Sequence, residues 1–88
     1  MDPYRVPFSF DRTHAPRFRL RNDSPERVRG VTTTLCGSGV MPMGPPRALA
    51  PGEAMEVVIR GGDLARETTL VIRWLRPNGE EYLWRVSF

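Results

Sequence analysis

All thirteen basic residues of this chain are arginine, and Arg17, Arg19 and Arg21 recur at every second position. On an extended strand that spacing sets three guanidinium groups on one face, where, together with Arg29, they could meet phosphates or an acidic protein. Two plainer readings stand beside this one: a solvated face, or a guard that stops an edge strand from pairing with another chain. A platform for single-stranded nucleic acid would also need exposed aromatics among the arginines, whereas Phe8, Phe10 and Phe18 are expected in the core. Nucleic acid is therefore the minor alternative to a protein partner.

The charge distribution sharpens that choice only partly. Residues 11 to 30 carry six arginines against three acids and account for the whole net charge of +3. From 48 to 88 there are five arginines against six acids, so that region is close to neutral. The absence of lysine and glutamine points to a GC-rich coding bias, which raises the isoelectric point without implying a basic partner.

Other side chains offer less chemistry. His14 is the only histidine and falls in a turn-rich stretch, where an imidazole without partners is inert. Cys36 cannot form an internal disulfide and reads as a small, partly buried thiol, with no second cysteine or nearby histidine to activate it. Gly37-Ser38-Gly39 lacks the spacing of a nucleophile elbow, no lysine completes a phosphate-binding loop, and one cysteine with one histidine does not make a zinc site. Catalysis is set aside, and neither a metal nor a cofactor is expected.

Met41 and Met43, in a Gly/Pro-rich stretch, are either adaptable apolar contacts for a partner or core filler beneath a long loop. Pro42 and Pro45 have the spacing of a Pro-x-x-Pro ligand, a signal of very low specificity. Trp74, Tyr82 and Trp84 could form a sugar-stacking surface, but their alternation with Leu70, Ile72 and Val86 favours core packing.

These residues need strands to position them. Leu70 to Arg76 and Glu80 to Phe88 alternate apolar and polar around Pro77-Asn78-Gly79. Proline presets φ at the second position of a type I turn, asparagine tolerates the third, and glycine takes the left-handed position that follows. The three-residue loop pairs Arg76 with Glu80, Trp74 with Tyr82, Ile72 with Trp84 and Leu70 with Val86. A two-residue turn at Asn78-Gly79 would instead set Arg73 against Trp84 and mix the faces.

Upstream, Tyr4, Val6, Phe8 and Phe10 alternate as one strand, confined to an edge or to one-sided pairing by Pro7. Phe18 and Leu20 turn inward from a second strand, and Val31, Thr33 and Leu35 from a third, with Gly30 as a bulge that brings Val28 into phase. Gly37 to Gly52 reads as a long connection with one short strand. Met55, Val57 and Ile59 mark a fifth strand, and Asp63 to Glu67 a helical turn or loop. No stretch of ten residues has helical periodicity.

Eighty-eight residues make one small domain, expected to span 1-88. No apolar run approaches the roughly 18 residues of a membrane span. Met1-Asp2-Pro3-Tyr4-Arg5 lacks the apolar core of a signal peptide, so the expected location is cytoplasmic, with a virion or secreted assembly as the other setting considered. About seven short strands separated by turn residues predict an all-β fold, a single antiparallel sandwich of immunoglobulin-like or fibronectin III-like style, with a small barrel as the alternative.

The run Phe18-Arg19-Leu20-Arg21-Asn22-Asp23-Ser24-Pro25, then Val28 to Leu35, then Leu49-Ala50-Pro51-Gly52-Glu53 leading into Val57-Val58-Ile59 resembles immunoglobulin-like domains of the CARDB and NEW3 kind. The resemblance implies a sandwich used for adhesion, spacing or docking, with no catalytic residues to carry over. The expected function is a non-catalytic protein-interaction or assembly module. Electrostatic binding through the arginines and carbohydrate binding are the alternatives, no membrane partner is expected, and unpaired strand edges leave a homodimer by sheet extension open.

Overall fold

Pro77-Asn78-Gly79 closes its hairpin in the three-residue form. In the computed structural model, which describes residues 3–88, Arg76 N donates to the Glu80 carbonyl and Gly79 N to the Arg76 carbonyl, both at 2.9 Å. Asn78 Oδ1 accepts from Glu80 N at 3.0 Å, and Gly79 takes the left-handed conformation at φ +88°. The strands that follow pair Trp74 with Tyr82, Ile72 with Trp84 and Leu70 with Val86, as that turn requires.

The described residues form seven strands: β1 (Phe8–Asp11), β2 (Arg17–Asn22), β3 (Val28–Gly37), β4 (Arg47–Leu49), β5 (Ala54–Val58), β6 (Thr68–Leu75) and β7 (Glu81–Ser87). A single helical turn, α1 (Leu64–Glu67), precedes β6. Two antiparallel sheets result, ordered β1-β2-β5 and β4-β3-β6-β7. They do not close into a barrel. Their inner faces meet in one core, to which the first sheet contributes Phe18, Leu20 and Val57 and the second Val28, Val31, Leu70, Ile72, Trp74 and Val86. Phe8 sets its ring edge-on to Trp74 across the two sheets, with centroids 5.0 Å apart.

The bulge at Gly30 is present: three steps along β3, from Val28 to Val31, oppose two along β4, from Leu49 to Arg47. The extra residue brings both valines onto the inner face, where each is fully buried.

Two readings of the sequence need correction. The first strand does not start at Tyr4; it starts at Phe8, with Val6 exposed and Pro7 buried. Pro7 has no N–H for a ladder; its carbonyl still accepts from Asp23 N at 2.7 Å, in register with Phe8 opposite Asn22, but Pro7 and Phe8 are buried in succession, so the period of two fails there. Cys36 is exposed rather than partly buried, because Leu35 points inward and the next residue of β3 must point out.

Candidate functional site

Arg17, Arg19 and Arg21 stand in a solvent-facing row on β2, with Phe18 and Leu20 buried between them. Their strand is the middle one of its sheet, so these arginines do not guard an edge. The register surrounds them with acid. Arg19 lies between Asp11 of β1 and Glu56 of β5, Arg17 Nη1 is 3.9 Å from Glu56 Oε2, and Arg21 Nε is 3.2 Å from Asp23 Oδ1. Three cations thus stand among three carboxylates, which offsets part of the positive charge this face would offer to phosphates. Arg29 belongs to β3 in the other sheet and does not extend the row.

At the end of this row Asp11, Thr13 and His14 gather in an exposed loop. The Thr13 hydroxyl donates to Asp11 Oδ1 at 2.6 Å and lies 2.8 Å from His14 Nδ1. With the hydroxyl proton directed at the carboxylate, the contact to His14 is made with Nδ1–H as donor. The hydroxyl and amide of Thr13 hold the Asp11 carboxyl below its usual range, with smaller help from His14 and Arg19. This keeps a negative charge beside the arginines.

The loop between β3 and β4 presents a different surface. Val40 is 72% exposed and Met43 85% exposed, while Met41 turns in against the core. The backbone of Val40 is anchored, donating to and accepting from Arg60 at 2.8 and 2.9 Å, so its isopropyl group is held out on a fixed strut. With Thr34, Leu35 and Met41 these two side chains line a shallow apolar groove. Pro42 and Pro45 border a separate cleft beside Val31, Thr33 and Val57. Met41 and Met43 are two residues apart, and a period of two would set both on one face; the irregular loop instead turns one in and leaves the other in solvent.

The aromatic row is divided. Trp74 is buried and donates from Nε1 to Tyr4 Oη at 3.0 Å, whereas Tyr82 and Trp84 are half-buried. The Arg76 guanidinium lies 4.0 Å from the Tyr4 ring centroid and forks onto Glu26, with Nε to Oε1 at 3.1 Å and Nη2 to Oε2 at 3.0 Å. That fork, with the neighbouring Tyr82, keeps Arg76 firmly cationic. Sequence reasoning missed this knot, since Tyr4, Glu26 and Arg76 come from three distant parts of the chain.

Burial pushes the Tyr4 phenol above its ordinary value of 10.0, against the opposing pull of the Trp74 hydrogen bond and the Arg76 charge. A raised value means the folded state keeps the proton longer than the unfolded chain. The contribution is complete below about pH 10 and is lost as pH rises through the folded-state value. The urea midpoint should therefore fall above about pH 10, and Tyr4→Phe should flatten that decline while lowering stability at neutral pH, because Trp74 Nε1 loses its acceptor. An unchanged alkaline slope in the variant would show that another group is responsible.

Among the described residues no three histidine, cysteine, aspartate or glutamate side chains gather as the ligands of a metal would, and no helix is long and apolar enough to cross a membrane. Comparison of the chain with protein-family models, with curated proteins and with solved structures finds no match.

Proposed function

We propose that this protein is a non-catalytic protein-interaction module, built on a sandwich of the fibronectin type III or immunoglobulin-like kind. The observation that carries the reading is the apolar surface of the β3–β4 loop, where Val40, its backbone pinned to Arg60, and Met43 both stand in solvent. Two adjacent exposed apolar side chains contribute nothing to the core, and a flexible thioether beside a fixed branched side chain suits a partner's apolar pocket. The strand order, with β1-β2-β5 facing β4-β3-β6-β7, supports the choice of fold. The partly offset charge of the arginine row weighs against nucleic acid as the main ligand.

The reading is tested by affinity capture from host lysate, with nuclease and at moderate salt, using three baits: the native chain, Val40→Ser/Met43→Ser, and Arg17→Ser/Arg19→Ser/Arg21→Ser. A defined protein should be held by the native and arginine-free baits and lost from the loop variant, whose stability should change by less than about 0.5 kcal/mol because both side chains are exposed. Loss with the arginine variant alone would transfer the function to β2.

A further inference from the structure

Four strands form the edges of the two sheets, and three of them are short: β4 has three residues, β1 four and β5 five. The fourth, β7, runs for seven residues in unbroken register with β6, without proline or bulge. The short length, proline and bulges that usually blunt an edge are not used here; the outward row is Glu81, Leu83 and Arg85, one charge of each sign about Leu83, which is 47% exposed. Because Arg76 N donates to the Glu80 carbonyl, the antiparallel alternation turns the backbone groups of residues 80, 82, 84 and 86 toward β6 and those of 81, 83, 85 and 87 outward. The Ser87 carbonyl obeys this rule, accepting from Arg12 Nη2 at 2.9 Å. Among the described residues nothing pairs with the outward backbone groups of Glu81, Leu83 or Arg85.

We propose that two copies of the chain pair β7 against β7, antiparallel about a twofold axis at Leu83, and so join their four-stranded sheets into one. In this register Leu83 faces Leu83 of the second copy, while Glu81 faces Arg85 and Arg85 faces Glu81, each pair exchanging both of its backbone bonds. The half-buried inward side chains also match, since Tyr82 comes opposite Trp84 in both directions. Neighbouring registers fare worse. An axis at Trp84 requires the Ser87 carbonyl that Arg12 occupies and sets Leu83 against Arg85, and an axis at Arg85 sets arginine against arginine. This interface lies at the opposite edge of the sheet from β4, and it does not depend on the docking role of the β3–β4 loop.

Sedimentation equilibrium of the full chain, with Arg85→Glu and the exchanged pair Glu81→Arg/Arg85→Glu, tests the proposal. The native chain should dimerise, Arg85→Glu should weaken the dimer by more than about tenfold by setting acid against acid on both sides of the axis, and the exchanged pair should recover it. Each variant should keep the native far-ultraviolet circular dichroism. In a Cys36→Ser background, Leu83→Cys should oxidise to a covalent dimer, since residues facing each other across a twofold at a hydrogen-bonded site lie about 5.5 Å apart at Cα, within disulfide reach. A native chain that stays monomeric to about 1 mM, or a dimer indifferent to Arg85→Glu, overturns the proposal.

Discussion

Replacing Asn22 with alanine should cost about 3 kcal/mol, a large share of the roughly 4–13 kcal/mol available to a domain of this size. Asn22 is a fully buried polar side chain at the end of β2, and every hydrogen-bonding group it has is used. Its Nδ2 donates to the carbonyls of Glu26 at 2.8 Å and Leu49 at 2.9 Å, and its Oδ1 accepts from Ser24 N at 3.0 Å and Ser24 Oγ at 2.7 Å. The backbone joins in, with Asn22 N donating to Glu53 and Gly52 N donating to Asn22. One amide therefore ties the β2–β3 turn to the end of β4 and to the Pro51-Gly52 turn. Truncation removes the donor held by the Glu26 and Leu49 carbonyls and the acceptor held by Ser24, and the loss of these buried bonds accounts for most of the cost.

Asn22→Asp separates hydrogen bonding from shape. The aspartate keeps the volume and the acceptor for Ser24, but it points a second oxygen at two carbonyls and buries a charge. At neutral pH it should be at least as damaging as alanine. Burial raises the folded-state pKa of such a carboxyl, so the deficit should shrink as pH falls and the acid gains a proton to donate. Denaturant midpoints of the native, alanine and aspartate forms between pH 4 and 8 would show this, and a deficit independent of pH would mean that the Nδ2 bonds are not what holds the knot together.

The second large loss is expected at Gly37, where β3 ends against the start of β6. The residue has φ +100°, and a Cβ built there would overlap the carbonyl oxygen of Glu67 outright and crowd its carbonyl carbon at 2.9 Å. Both contacts are backbone, so no side chain can swing aside. Gly37→Ala should cost about 3 kcal/mol or more, since left-handed strain adds to the forced displacement of the α1–β6 junction. Gly79→Ala is the control. That glycine also has positive φ, at +88°, but a Cβ there meets nothing within 4 Å, so strain alone remains at about 1–2 kcal/mol. Equal losses at the two positions in equilibrium denaturation would refute the steric argument.

The arginine row illustrates how a pattern can be read correctly and its meaning still lie elsewhere. The alternation of Arg17, Arg19 and Arg21 with Phe18 and Leu20 follows from the pleat, and the burial pattern matches it residue for residue. Whether that face is positive depends on Asp11 and Glu56, which β1 and β5 bring alongside Arg19. The same holds for the β3–β4 loop, where two methionines alike in sequence differ in burial, Met41 packing against the core and Met43 standing in solvent.

From sequence alone one can read what neighbouring residues decide: the Pro77-Asn78-Gly79 loop and hence the β6–β7 register, the inward sets of β2, β5 and β6, and the bulge at Gly30. Each rests on φ preference, turn chemistry or a period of two, all properties of a few consecutive residues. Tertiary structure alone made β2 a central strand and β7 a long free edge, set Asp11 and Glu56 beside the arginine row, buried Asn22 against Leu49, and brought Tyr4 to Trp74 and Arg76. Those outcomes depend on contacts between residues far apart in the chain, which form only when the two sheets pack, and no local preference encodes which strands will meet.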